Sequence, residues 1–255
     1  DPTITLIFNT PPHTQRVAAN PYPIDRTMPT NQHHQPIGDA LPGYTPGARP
    51  AITTLHGRYC RLEKLDPARH GDDLYTVYGP AAPPANFTYL SIDPAPDRTA
   101  HDAHMQRMAA SNDPYHLAIC DATSGTALGT LALMRIDPAN RVIEVGWVCY
   151  GDALKRSRLA TEAQYLLMRY VFDELHYRRY EWKCDSLNAP SRRAAERLGF
   201  TYEGTFRQAV VYKGRNRDTA WYSLLDNEWS AQRDRFERWL EPANFDAAGR
   251  QHTPL

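Results

Sequence analysis

Cysteine is too scarce and too scattered here to build a scaffold. The four, Cys60, Cys120, Cys149 and Cys184, form no Cys-x-x-Cys pair, which argues against a zinc ribbon and against a disulfide framework. Long apolar runs are missing as well. No stretch approaches the roughly 20 residues that cross a bilayer, and residues 4–8 are a short apolar run without the basic flank of a signal peptide. Excess charge of either sign is also absent: 29 basic side chains balance 29 acidic ones, so nothing global draws the chain to nucleic acid or to a membrane surface. These absences lead us to expect a cytoplasmic protein with reduced thiols and no metal. In such a protein the sequon Asn86-Phe87-Thr88 is a chance match.

Proline is what the chain has in plenty, and it is unevenly placed. Ten of the 21 prolines fall in the first 50 residues, among few charges and no sustained apolar period. That composition buries too little to offset the ordering of the backbone. Residues 1–50 are therefore expected to be a disordered leader, residues 51–242 one domain, and residues 243–255 a C-terminal tail. His33-His34 in the leader lacks further ligands nearby and reads as a solvated pair.

After the leader, residues 57–65 read as a strand, and Asp66-Pro67 opens a helix to about Tyr78 with aspartate as N-cap and proline in the first turn. A second helix is expected over residues 97–110. His101 and His104 share one of its faces and are assigned no role. Residues 115–120, 128–136 and 142–149 read as three strands in a meander, with turns at Ser124-Gly125 and Asn140. Then comes the best-patterned helix. Leu159, Ala163, Leu166, Leu167, Tyr170, Val171 and Leu175 recur at the spacing of one helical face. A strand containing Tyr180-Glu181-Trp182-Lys183-Cys184 follows, so a βαβ unit is expected. Asn188-Ala189-Pro190-Ser191 opens a short helix that stops at Gly199. Two strands, 200–211 and 218–225, flank the polar turn at residues 213–217. A final helix carries Trp229, Phe236, Trp239 and Leu240 at packing intervals.

The chemistry is concentrated around the βαβ unit. The basic loop Lys155-Arg156-Ser157-Arg158 runs into a helix N-terminus, where free backbone N–H groups and the helix dipole favour an anion such as phosphate. Taken together, several motifs resemble the GNAT acetyltransferase superfamily and its RimJ/RimL-like branch. They are the Glu144 strand, the basic loop before Ala160-Thr161-Glu162-Ala163, the Asn188-x-x-Ser191 turn, and Leu198-Gly199-Phe200 followed by Glu203-Gly204. The resemblance covers about residues 55–240. It implies an α/β fold of the α+β type, a bent mixed β-sheet with splayed central strands flanked by helices. It also implies an N-acetyltransferase that moves an acetyl group from acetyl-CoA to a primary amine, on a small molecule or a protein N-terminus, by direct attack. The motifs do not choose between those acceptors, and oligomeric state stays open. The alternative is a non-catalytic acyl-CoA-binding interaction module.

By the same resemblance, Lys155, Arg156, Ser157, Arg158, Leu159, Ala160 and Thr161 would cradle the pyrophosphate. Backbone groups of Val148, Cys149 and Tyr150 would meet the pantetheine arm and the thioester carbonyl, and Asn188 would lie beside that arm. Ser191 would donate to the departing sulfur, and Glu144 would act as base or else simply pair with an arginine. Cys149 reads as a core residue rather than a nucleophile, since no histidine partner is identifiable. Two departures stand out. Arg158 occupies a position that is usually glycine, and Ala195 occupies one where many members carry a tyrosine acid. The cations of residues 213–217 would either select an acidic or phosphate-bearing acceptor or merely solvate their turn.

Overall fold

The computed structural model describes residues 28–255 and divides into two units, Asp1–Tyr44 and Thr45–Leu255. Residues 1–27 of the expected leader lie outside the described residues. The described part of the first unit contains one antiparallel bridge, Thr30 to Pro36.

The second unit is built on eight strands: β1 (Thr54–His56), β2 (Cys60–Lys64), β3 (Tyr115–Asp121), β4 (Ala127–Asp137), β5 (Val142–Tyr150), β6 (Arg179–Asp185), β7 (Thr201–Tyr212) and β8 (Arg215–Leu225). They form one mixed sheet in the order β1-β2-β3-β4-β5-β6-β8-β7, in which only the β5/β6 pair is parallel. Five helices flank it: α1 (Pro67–Tyr78), α2 (Arg98–Ala110), α3 (Arg158–Arg169), α4 (Ala189–Arg197) and α5 (Asp226–Leu240). Strand alternation sorts the core between the two faces. On β3, Leu117 and Ile119 join the cluster under α3 and α5, whereas Ala118 and Cys120 join the one under α1 and α2.

The helices start where short polar side chains can satisfy their first N–H groups. Asp66, Asp97, Ser157 and Asn188 each accept a backbone hydrogen bond at the N-cap of α1, α2, α3 and α4. Within the expected first strand over residues 57–65 lies β2, Cys60–Lys64, and the short β1, Thr54–His56, precedes that span. The backbone N–H groups of Arg58, Tyr59 and Cys60 are taken by the Glu162 carboxylate, which turns the chain between β1 and β2. The expected long helix over residues 159–175 ends its α-helical part at Arg169 and finishes as a π-turn, Tyr170–Glu174. Beyond residue 242 the chain is packed. Phe245 is buried in the core, Trp239 donates to Gln251 Oε1 at 3.0 Å, and Asn244 bonds to the backbone of Trp239 and Thr253.

What positions the site is the parting of β5 and β6. Their register runs from Val142 opposite Arg179 to Val145 opposite Trp182 and stops there, although β5 continues to Tyr150 and β6 to Asp185. Against β4, β5 carries an extra residue: Ala132 faces Gly146 and Thr130 faces Cys149. Trp147, within that bulge, has φ +50°. A bulge bends its strand and sharpens the local twist. Here it swings the end of β5 away from β6 and opens the splay.

Candidate active site

Two hollows meet at the parting. The first, about 1100 Å³, is lined by Tyr150, the Arg156–Thr161 stretch, Trp182, Pro190, Arg193, Arg197 and the segment around Gly249. The second, about 530 Å³, is lined by Glu144, Val148, Trp182, Asn188, Ser191 and residues of β7 and β8. Trp182 lines both.

The first hollow has the character of an anion site. The N-terminal turn of α3 opens onto it, with Arg156, Arg158, Arg193 and Arg197 around it. Ser157 caps that helix: its Oγ accepts from Ala160 N at 3.1 Å and donates to Leu154 O at 2.6 Å. Thr161 is buried and accepts from the Arg197 guanidinium at 2.9 Å, which ties α3 to α4. Arg158 is already helical, so its replacement of the usual glycine strains nothing; the left-handed residue of the loop is Arg156, at φ +57°. The Arg158 guanidinium lies over the ring of Tyr59, 4.2 Å from its centroid, and near Phe245. Lys155 is not brought to the hollow. Its ammonium donates to Asn86 Oδ1 at 2.6 Å and to Asp152 Oδ1 at 2.7 Å. Of the seven expected phosphate-loop residues, Arg156 to Thr161 line the hollow and Lys155 does not.

The second hollow holds Ser191 and Asn188 in distinct roles. Asn188 is the helix cap, its Oδ1 accepting from Ser191 N at 3.1 Å. The Ser191 hydroxyl caps nothing. Its Oγ accepts from Trp182 Nε1 at 3.0 Å, and the hydroxyl also hydrogen-bonds the Cys184 thiol group. Replacing Asn188 with alanine should consequently cost about 1 kcal/mol of stability through the lost cap, and Ser191→Ala about 1–3 kcal/mol through the buried Trp182 N–H it strands, and a pair of denaturation curves checks it.

Glu144 sits at the centre of a buried charge network. Its Oε2 lies 3.0 Å from Lys183 Nζ and 3.3 Å from Arg135 Nε. Lys183 in turn pairs with Glu181 at 2.6 Å and caps the Trp221 ring at 3.6 Å from its centroid. Arg179 continues the chain of pairs to Glu181 and Glu203. Burial pushes the Glu144 carboxyl above its ordinary value, and the cations of Lys183 and Arg135 recover only part of that shift. Burial acts on Glu181 too, but Lys183 and Arg179 outweigh it and hold that carboxyl low. Two neighbouring carboxyls are thus pushed apart, which leaves Glu144 the one better suited to hold a proton. Sequence reading missed Lys183 and Trp182. Alternation in Glu181-Trp182-Lys183 puts the two charged residues on one face, but the reason to place them in a site appears only with the register of β6.

Cys149 belongs to the core. It is buried beneath Tyr78, and burial pushes its thiol up to about 11, far from a thiolate nucleophile. Val148 and Tyr150, its neighbours on the bulged strand, line the second and first hollow respectively. Among the described residues one cluster, Glu63, His70 and Cys120, has donor atoms close enough for a cation. Its carboxylate, however, is already bonded to Arg61, Arg69 and His70.

The family model described as Acetyltransferase (GNAT) domain matches residues 62–201. A GCN5-related N-acetyltransferase from Brucella melitensis has a solved structure that is 48% identical, covers 84% of this chain and 97% of that one, and superposes with a TM-score of 0.82. A probable GNAT-family acetyltransferase from Chromobacterium violaceum is 39% identical over 77% of this chain and 98% of that one, with a TM-score of 0.72. Among curated proteins, the "Putative ribosomal N-acetyltransferase YdaF" of Bacillus subtilis is 32% identical over 110 residues, 43% of this chain. The chain spans only 59% of that relative's length. Among the described residues no helix is long and apolar enough to cross a membrane.

Proposed function

The chain belongs to the GNAT acetyltransferase family, and on that premise we propose that it transfers an acetyl group from acetyl-CoA to a primary amine by direct attack. The observation that carries this reading is the meeting of the two hollows at Trp182: a cationic one with a helix N-terminus, and one with a buried carboxylate. Arg156, Arg193, Arg197 and the first turn of α3 would hold the phosphates, and the arm of the cosubstrate would pass between β5 and β6. When bound, acetyl-CoA supplies the thioester whose carbon forms the new C–N bond as its C–S bond breaks.

The protein's residues then manage protons and charge. Glu144, directly or through water, takes the proton that the amine loses. Beyond Val145 the β6 side of β5 has no strand partner among the described residues, so backbone N–H groups there are available to a carbonyl oxygen. Ser191, its oxygen engaged by the Trp182 indole, keeps its proton and donates a hydrogen bond to the departing sulfur, which leaves as the thiolate. Ser191→Ala should therefore slow the chemical step by roughly ten- to a hundredfold with acetyl-CoA affinity little changed. Single-turnover rates beside calorimetry decide this, and a fully active Ser191→Ala protein would remove the serine from the mechanism.

Either a small amine or the end of a peptide fits a hollow of about 530 Å³, and the likeness to the ribosomal N-acetyltransferase YdaF of Bacillus subtilis brings a ribosomal acceptor into consideration. A second reading, binding of acyl-CoA without turnover, draws support from Arg158 and Ala195, which stand where many members of the family carry a loop glycine and a tyrosine acid. Mass spectrometry of an amine and peptide panel incubated with acetyl-CoA separates them. Acetylated products support the enzyme; tight acetyl-CoA binding with no product from any amine supports the binding module.

A further inference from the structure

The face of the sheet that floors the smaller hollow has an order that bears on its guest. Alternate residues of a strand share a face, and on β8 three successive ones, Arg217, Thr219 and Trp221, all line this hollow. The register places Trp221 opposite Lys183, the residue that grips Glu144, and Thr219 opposite Asp185. Glu144 itself is level with Glu181 and so with Ser223, which puts Arg217 six residues, roughly 20 Å, farther along the strand. The site therefore has a proton-accepting end at Glu144 and a guanidinium at the other.

That guanidinium lacks a counter-charge. The other cations lining this hollow are engaged: Lys183 with Glu144 and Glu181, and Arg135 with Glu144. Arg217 gives one hydrogen bond, from Nε to Thr219 Oγ1 at 3.1 Å, and forms no ion pair among the described residues. The adjacent acid, Asp185, is buried and spends its oxygens on Leu187 N and the Tyr212 hydroxyl. Between the two ends the wall is apolar and aromatic. Phe206 packs on Trp221 with ring centroids 4.5 Å apart, yet Phe206 is 57% exposed and Val210 42%. Large apolar groups left open at the mouth of a hollow are surface that a guest would cover.

Resting on the acetyltransferase reading, we propose that the acceptor is an elongated amine: a primary amine at the Glu144 end, a carboxylate bound by Arg217, and an apolar or aromatic body between them on Phe206 and Trp221. Allowing for the reach of both side chains, the two charged groups are several ångström apart. That exceeds the single carbon of an α-amino acid and leaves room for at least a benzene ring between the two charges. A guanidinium recognises a carboxylate with paired, charge-assisted hydrogen bonds, so the anion adds binding as well as orientation.

The test compares para-(aminomethyl)benzoate with para-methylbenzylamine, its uncharged counterpart of similar shape, using the full chain and acetyl-CoA. We expect kcat/KM to favour the benzoate by roughly ten- to a hundredfold, the range for one charge-assisted pair. In Arg217→Ala the preference should fall to near one, and Arg217→Lys should restore part of it. Because each value is a ratio of two substrates on one protein, partial unfolding of a variant does not alter it. Equal use of the two amines by the parent protein overturns the inference. So does phenylalanine used as well as the benzoate, which would remove the span, or a para-(aminomethyl)benzylphosphonate preferred over it, which would remove the carboxylate. Acetylation of other amines with neither probe accepted also overturns it and leaves the acetyltransferase reading standing. Absence of product from every amine overturns that reading itself, and this inference with it.

Discussion

Glu162→Ala is expected to cost about 3 kcal/mol or more of folding stability, although the residue is remote from any reacting atom. Its carboxylate is buried and accepts three backbone hydrogen bonds, from Arg58 N at 2.8 Å and from Tyr59 N and Cys60 N at 2.7 Å each. These donors form the turn between β1 and β2 and have no carbonyl to fall back on. A buried N–H left unpaired costs about 1–3 kcal/mol, and bonds to an ionised acceptor sit at the upper end. Alanine would strand all three at once. The turn is fitted to that carboxyl, since a Cβ on Gly57 would come within 2.6 Å of it. Urea unfolding of both proteins measures the difference as a lower midpoint at unchanged slope. Glu162→Gln, which keeps one accepting oxygen, should fall between them. A loss under about 1 kcal/mol for alanine would show that water or a local shift satisfies the turn.

The same residue shows why some of this protein is legible in its sequence and some is not. Glu162 stands in Ala160-Thr161-Glu162-Ala163, on a helix that its apolar period marks plainly, yet its partners lie more than 100 residues earlier. Periodicity reports which face of a helix is buried and says nothing of a polar residue that reaches from that face to another strand. Elements whose signal is local came through: the Asp66 cap with Pro67, the β3-β4-β5 meander, the unit β5-α3-β6, and Gly199 at φ +93° closing α4. Chemistry that depends on register did not. Glu144 faces Glu181 across a parallel pair, and only that alignment brings Lys183 to Glu144. The segment after Pro242 carries no period at all, because one aromatic ring and a few side-chain to backbone bonds hold it in place.

Arg158 gives the converse case, a local rule applied to the right motif and answered by tertiary contacts. Glycine at its position in related loops suggests that the backbone needs either freedom or closeness there. In this chain the left-handed residue is Arg156, and Arg158 begins a regular helix. Its side chain is drawn away over Tyr59 and Phe245, an aromatic pair that meets edge to face at 5.8 Å. Cation and rings come from three distant parts of the sequence, and Phe245 lies in the C-terminal segment, so no pattern near residue 158 could announce the arrangement.

Glu144→Gln is expected to lower kcat/KM by roughly 100- to 10,000-fold, the usual range for a positioned general base, and to change the shape of the pH profile as well as its height. The base works only when ionised. Burial raises the Glu144 carboxyl above its ordinary value of 4.5 despite the nearby Lys183 and Arg135, so in the parent protein activity should climb through an apparent pKa above 4.5. The profile is best taken with a weakly basic amine that stays neutral throughout, which keeps the acceptor's own titration out of the curve. In Glu144→Gln that limb should vanish, because the amide has no proton to lose. Lys183→Met supplies the sign. The ammonium favours the carboxylate form, so its removal must raise the Glu144 pKa further and carry the limb to higher pH while the plateau above it is kept. A structural role for the network predicts something else: both variants would lose stability and activity together, with the limb where it was. An unmoved limb in a folded Lys183→Met protein would therefore show that some group other than Glu144 sets the pH dependence.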